Sequence, residues 1–227
     1  MGVGRLAKRR KKADSPHAVR AIRKELGTAL NTPDSSGQCA SNAHFGVYAF
    51  YDYDGEPIYV GQTREQLRTR IRRHLTNQRT DAVAMHVLDP FEVAEIEIWP
   101  FWGLEAADSA TIKQTLNSAE YTVYQKLLKE SAFNAVLNEV PIAPAPIIRL
   151  PESLRKRIVP GEVYQRRKHS DIRIARRAAT MAKLAQVISE REVKVGLRQT
   201  LLTQARRLEH LARSRLSELS GEGEDKA

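Results

Sequence analysis

Hydrophobic positions along the chain change their period several times, and each change marks an element. From Pro16 to Leu30, Val19, Ile22 and Leu26 recur at three- and four-residue steps, which predicts a short helix. Asn31 to Ser41 is small and turn-rich and reads as a loop. Phe45 to Tyr53 and Glu56 to Gly61 are β-prone aromatic runs on either side of Asp54-Gly55. That pair suits a two-residue type I′ hairpin turn, where both positions need positive φ. Thr63 is placed to cap a following helix with Gln66 as its capping-box partner, and Leu67, Ile71 and Leu75 form the stripe that helix would bury. Asn77 to Pro90 has no clear period. Phe91 to Trp99 alternates, with Val93, Glu95, Glu97 and Trp99 on one side and Ala94, Ile96 and Ile98 on the other. A long helix is expected from about Asp108 to Glu130, with Leu116, Val123 and Leu127 on its apolar face.

Beyond it, Pro141, Pro144, Pro146 and Pro151 predict an extended, semi-rigid connector. From Val163 to Leu219 proline vanishes, and Leu197, Leu201, Leu208 and Leu211 recur at helical steps. One or two long helices follow from that pattern, arranged as a hairpin or coiled coil. The expected fold class is α+β: a small domain with a three-stranded antiparallel sheet and packed helices, then an extended helical C-terminal region. The expected divisions are a basic arm and short helix at 1–44, the domain at 45–140, the connector at 141–162, basic helices at 163–220 and a disordered tail at 221–227.

Charge adds a function class. The net charge of +10 is uneven: residues 1–45 carry 9 Lys/Arg against 3 acids, 46–150 carry 10 against 14, and 151–220 carry 17 against 7. A mildly acidic middle between cationic flanks fits a polyanion-binding protein, because each neutralised phosphate releases counterions. The single cysteine, Cys39, rules out an internal disulfide framework and fits a reducing compartment. No apolar run is long enough to span a membrane, and the basic start lacks the apolar stretch of a secretory signal. The expected location is cytoplasmic, on the nucleoid in a prokaryote.

Candidate chemistry gathers in the middle. Tyr48 and Tyr59 lie on paired strands either side of the turn, with a parity that can put both hydroxyls on one sheet edge. Arg70 and His74 are four residues apart, hence on one helix face. Glu120 sits among apolar neighbours, where a carboxylate is costly unless it is paired or binds a metal. Hard Mg²⁺ accepts few protein oxygens and keeps most of its waters. Phe133-Asn134 follows fourteen residues later. No ligand-spaced His and Cys pattern for zinc is present, since Cys39 is solitary.

Taken together, Gly46-Val47-Tyr48, Tyr59-Val60-Gly61, Arg70, His74, Glu120 and Asn134 resemble the GIY-YIG nuclease family, with Val in place of the central Ile of both tripeptides. The resemblance covers roughly Phe45 to Asn138. It implies a metal-dependent DNA endonuclease in which Tyr59 is the general base and Tyr48 positions water or substrate. Arg70 would stabilise the phosphoryl charge, and His74 would donate a hydrogen bond or shuttle a proton. Glu120 would hold one Mg²⁺ or Mn²⁺, and Asn134 would orient a catalytic group, with Asn138 as its rival. Gln62, Thr63 and Arg64 stand where some members carry a lysine.

Arg64, Arg68, Arg72 and Arg73 are expected to contact the nucleic-acid backbone, together with Lys8, Arg9, Arg10, Lys11 and Lys12 in the arm and Arg166, Arg167 and Lys168 near the C-terminal helices. The expected partner is DNA, with RNA left open, and a homodimer through the C-terminal helices is one route to cutting both strands. Two other classes compete: a non-catalytic nucleic-acid-binding module, and a helical partner-binding scaffold whose interactions would not respond to salt.

Overall fold

The structure, a computed structural model, describes residues 17–33, 37–76, 86–138 and 140–221. The basic cluster Lys8, Arg9, Arg10, Lys11 and Lys12 lies outside the described residues, as do the tail after Gly221 and the stretch after Thr76. Helix α1 spans His17–Leu30, strand β1 Gly46–Tyr51, strand β2 Pro57–Thr63 and helix α2 Leu67–Thr76. Strand β3 (Glu95–Pro100) and helix α3 (Ser109–Glu130) complete the middle of the chain. Strand β4 (Leu154–Arg157) and helices α4 (Gly161–Lys168), α5 (Ser170–Glu190) and α6 (Val195–Ser220) follow. Among the described residues no helix is long and apolar enough to cross a membrane.

The fold is α+β as the periods predict, with one strand more than expected. The sheet is antiparallel in the order β2-β1-β3-β4. The added strand, Leu-Arg-Lys-Arg, has no hydrophobic alternation, so only its pairing with Glu95 to Ile98 reveals it. The proline-rich connector is therefore not a free spacer. Its Ile142, Ile148 and Leu150 pack beside α3, and the N–H of Ile148 bonds to Thr122 Oγ1 at 3.0 Å. Both sheet faces are covered: Val47, Ala49, Tyr51, Val60 and Trp99 meet Ala119, Val123 and Leu127 of α3 on one side. On the other, Tyr48, Phe50, Tyr59, Ile96 and Ile98 join Leu26, Leu30, Leu67 and Ile71.

Two local expectations change. The β1–β2 connection is a three-residue loop, Tyr53 to Gly55, in which only Gly55 has positive φ (+77°). Asp52 enforces this form: its Oδ1 accepts from the N–H of Asp54 (2.8 Å) and of Glu56 (3.1 Å), which holds a type I turn closed by a glycine. Thr63 ends β2 instead of capping α2, and its hydroxyl bonds locally with Glu65. The helix starts at Leu67, whose N–H is taken by the carbonyl of Ala43 at 3.0 Å. Helix α3, by contrast, begins as its sequence indicates, with Asp108 accepting from the N–H groups of Ala110 and Thr111.

Helices α5 and α6 form a hairpin that shares the main core: Leu184, Ile188 and Leu197 belong to the same apolar cluster as Tyr48 and Tyr59. A buried charge cluster fixes the join. Asp52 Oδ2 accepts from Arg173 (3.1 Å) and Arg177 (2.8 Å) of α5 and from Arg207 (2.7 Å) of α6. Glu92 pairs with Arg177 at 3.1 Å, and Arg173 also reaches Asp54 at 2.6 Å. Burial alone would raise the Asp52 carboxyl, yet Arg207, Arg173 and Arg177 outweigh it and hold the group below its usual range. Glu92, nearly as buried, is pushed up by desolvation despite the same arginines. Much of the C-terminal positive charge is thus internal.

Asp52→Ala leaves three arginines buried without their shared acceptor. The expected loss of stability is about 3–5 kcal/mol, the usual scale for removing one partner of a buried ion pair, and equilibrium urea unfolding measures it.

Candidate active site

The two tyrosines stand on one sheet face because of a bulge. Phe50 pairs with Tyr59 and Tyr51 with Pro57, so Ile58 is an extra residue, and Ile58 and Tyr59 both enter the large core cluster. Tyr48 lies opposite Gly61 on β2, diagonal to Tyr59, and the two rings stack with centroids 6.2 Å apart. Gly61 is required by close approach. A Cβ there would meet Tyr48 Oη at 2.7 Å and Tyr48 Cζ at 2.9 Å. Gly46 serves the neighbouring element in the same way, since its Cβ would fall 2.6 Å from Leu67 Cδ1 and 2.8 Å from the Trp99 carbonyl oxygen. The two motif glycines therefore seat the Tyr48 hydroxyl and the first turn of α2.

Leu67 and Ile71 bury the stripe of α2, and this rotation turns Arg70 and His74 toward the tyrosines. Arg70 Nε donates to Tyr48 Oη at 3.3 Å. Burial weakens the hold of Arg70 on its proton, but Tyr48, Tyr59 and Glu65 more than compensate, leaving it even more firmly protonated than usual. His74 is 1% exposed, with ring centroids 5.8 Å from Tyr48, 5.3 Å from Tyr59 and 6.1 Å from Phe50. Neither of its ring nitrogens has a hydrogen-bond partner among the described residues. Desolvation, reinforced by Arg70 and Arg73, drives its pKa down to about 3. His74 is therefore neutral near pH 7.

Glu120 reaches the site from the other side. It is half-buried at the border of the α3 apolar face, not enclosed by it. Gln62, the residue after Gly61, donates from Nε2 to Glu120 Oε2 at 2.9 Å and to Asn117 Oδ1 at 2.8 Å. Strand β2 is an edge strand, so side chains from both faces converge at Gly61-Gln62. Among the described residues no group of three His, Cys, Asp or Glu side chains comes together. This donor set does not fit a zinc-type centre. It fits a hard divalent ion bound by one carboxylate, water and phosphate oxygens.

The asparagines exchange prominence. Asn134 is exposed in the turn after α3, with positive φ (+50°) and its N–H on the Ser131 carbonyl, which is turn geometry. Asn138 instead mimics a neighbouring strand: its Nδ2 donates to the Val60 carbonyl at 2.8 Å, and its Oδ1 accepts from the Val60 N–H at 3.4 Å. Sequence reasoning named Asn138 only as a rival and gave Gln62 and Asn117 no part. A polar residue immediately after the second tripeptide carries no signal of its own, because its partners Asn117 and Glu120 lie on α3.

The arginine-rich helix divides its labour. Arg64 and Arg72 are exposed, whereas Arg68 ties α2 to Asn31 (3.1 Å) and Ser41 (3.3 Å), and Arg73 pairs with Glu65. Near α4, Arg166 and Lys168 are exposed, but Arg167 is buried with its guanidinium 4.4 Å from the Phe91 ring centroid. Desolvation weakens the hold of Arg167 on its proton.

Residues 44–121 match the family model described as the GIY-YIG catalytic domain. No curated protein and no solved structure matches the chain. Nucleases with such a domain act on DNA and generally use divalent metal ions.

The buried His74 makes stability depend on pH with a defined sign. Unfolded, the imidazole binds a proton below about pH 6.5. Folded, it does so only near 3, so stability is complete above that upper value and falls as pH drops between the two. His74→Phe removes this dependence while filling the aromatic cage. Between pH 7 and pH 5 the wild type should lose about 2 kcal/mol more than the variant, read by urea unfolding at each pH.

Proposed function

We propose that the protein is a metal-dependent DNA endonuclease that hydrolyses one phosphodiester bond per encounter. The observation that carries this reading is the Arg70 Nε to Tyr48 Oη hydrogen bond over Gly61, with Glu120 held at the same strand edge. It also favours Tyr48 over Tyr59 as the general base. A guanidinium on its oxygen would favour the Tyr48 phenolate, the form that can take a proton from the attacking water and become a neutral phenol. Tyr59, stacked on Tyr48 and beside His74, would then set the ring's position.

In the free protein Tyr48 is fully covered, so substrate entry must draw Arg70 toward the scissile phosphate and open a path for water. Arg70 would then meet the phosphoryl oxygens with its planar fork. Glu120 would hold a Mg²⁺ or Mn²⁺ ion, whose chemistry when bound is to neutralise charge on the phosphate. His74, neutral, can offer one N–H to a phosphate oxygen once the site opens. Asn138 keeps β2 straight between the two halves of the site, and Arg64 and Arg72 can contact the backbone of the bound strand. One such site nicks; cutting both strands requires a second copy or rebinding.

Conversion of supercoiled plasmid to open circle in Mg²⁺ or Mn²⁺ tests the proposal. The wild type should nick, and Arg70→Ala and Glu120→Ala should each lose about 10²–10³-fold in rate. Tyr48→Phe should lose more than Tyr59→Phe. Nicking by Glu120→Ala at the wild-type rate would contradict the mechanism, and binding that does not weaken with salt would contradict the nucleic-acid substrate.

A further inference from the structure

We infer that Gln62 is a positioning residue for the metal-binding carboxylate, and that Asn117 fixes Gln62 in turn. The inference rests on the proposed role of Glu120 as metal ligand. Its basis is the three-residue chain Asn117–Gln62–Glu120. Gln62 Nε2 donates to Asn117 Oδ1 at 2.8 Å and to Glu120 Oε2 at 2.9 Å.

The orientation of the Gln62 amide follows from chemistry. An ionised carboxylate can only accept, so the Gln62 group facing Glu120 must be the NH₂. Its two hydrogens serve two acceptors, one on each, and its carbonyl oxygen is turned away from both. Asn117 and Glu120 are three residues apart on α3 and so lie on one face of that helix. A single side chain from β2 can bridge them without leaving its rotamer. Gln62 itself cannot wander, because its neighbours Gly61 and Thr63 are buried strand residues and its own backbone is paired with Val47.

The effect on a metal ion is specific. A glutamate at a half-exposed helix position samples several rotamers, and each costs affinity when only one of them serves. The amide bridge selects one rotamer. Because the amide is neutral, it does so without cancelling the negative charge that attracts a divalent cation. A lysine after the second tripeptide, as some relatives carry, would also donate but would place a positive charge against Glu120. Here the donor is retained and the charge omitted. Gln62 also follows directly on Gly61, over which the Tyr48 hydroxyl lies, so the residue that orients the carboxylate is covalently tied to the strand that seats the base.

The test measures metal binding apart from catalysis. Mn²⁺ binding to the full chain is followed by electron paramagnetic resonance, and the Mg²⁺ dependence of plasmid nicking is measured alongside, for wild type, Gln62→Ala, Gln62→Lys and Asn117→Ala. Loss of an outer partner of a metal ligand weakens metal affinity by about 10–100-fold. Gln62→Ala should therefore bind Mn²⁺ that much more weakly, with a matching rise in the Mg²⁺ needed for half-maximal nicking, and saturating Mg²⁺ should restore most of the rate. Gln62→Lys should bind at least as weakly although it keeps a donor. Asn117→Ala, exposed on α3 and harmless to the core, should show a smaller shift in the same direction. Unchanged Mn²⁺ affinity in both Gln62→Ala and Asn117→Ala, with wild-type nicking dependent on Glu120, would overturn the positioning role and leave the nuclease reading intact. If the wild type itself binds no Mn²⁺ and Glu120→Ala nicks normally, both ideas fall.

Discussion

The join between the sheet and the C-terminal helices depends on one carboxylate. Asp52 closes the hairpin turn with one oxygen and gathers Arg173, Arg177 and Arg207 with the other. The turn geometry aims Oδ2 away from the sheet, and the three guanidinium groups make that direction tolerable in a buried setting. Buried ion pairs seldom add much stability over an apolar core, but they specify one arrangement against many, because a misplaced helix strands several charges. Here the arrangement specified is the docking of α5 and α6 onto the sheet face that carries both tyrosines.

The site then follows from the position of β2. As the edge strand it has one side without a strand neighbour, and Asn138 and the N–H of Leu137 occupy that side by bonding to Val60 and to the Ile58 carbonyl. The ends of its side chains on both faces are therefore near each other around a thin rim. Tyr48, Arg70 and His74 arrive from the α2 face, and Glu120 arrives from the α3 face through Gln62. A central strand could not bring these groups together, since the sheet itself would separate them. The sheet's burial on both faces is the reason aromatic rings pack tightly enough to keep His74 without a proton.

Much of the candidate site's geometry was legible in the sequence because it is local or periodic. The hairpin strands, the Leu67–Ile71 stripe and the four-residue step from Arg70 to His74 all depend on neighbours within a few positions. What escaped depends on distant partners. Strand β4 is three cations and a leucine, and it becomes a strand only by pairing with β3. Arg173, Arg177 and Arg207 read as surface charge because their acceptor is more than a hundred residues away in the chain. The Asp54-Gly55 pair pointed to the right turn at the wrong length, since the Asp52 side chain, not the pair, sets its type. Asn134 and Asn138 differ only in which one reaches the rim, and that is fixed by a turn at Ser131 that no local pattern announces.

The clamp on Asp52 also orders events in time. Its last arm, Arg207, is made 155 residues after the aspartate it holds. At about 5–20 residues per second, a ribosome takes several seconds or more to add that length. Throughout this interval the strands and tyrosines of the sheet exist without the helices that complete their covering. An emerging chain therefore cannot close the clamp until α6 has been made. A product ending before α6 would lack Arg207 altogether, and Asp52 would keep only the two guanidinium groups of α5.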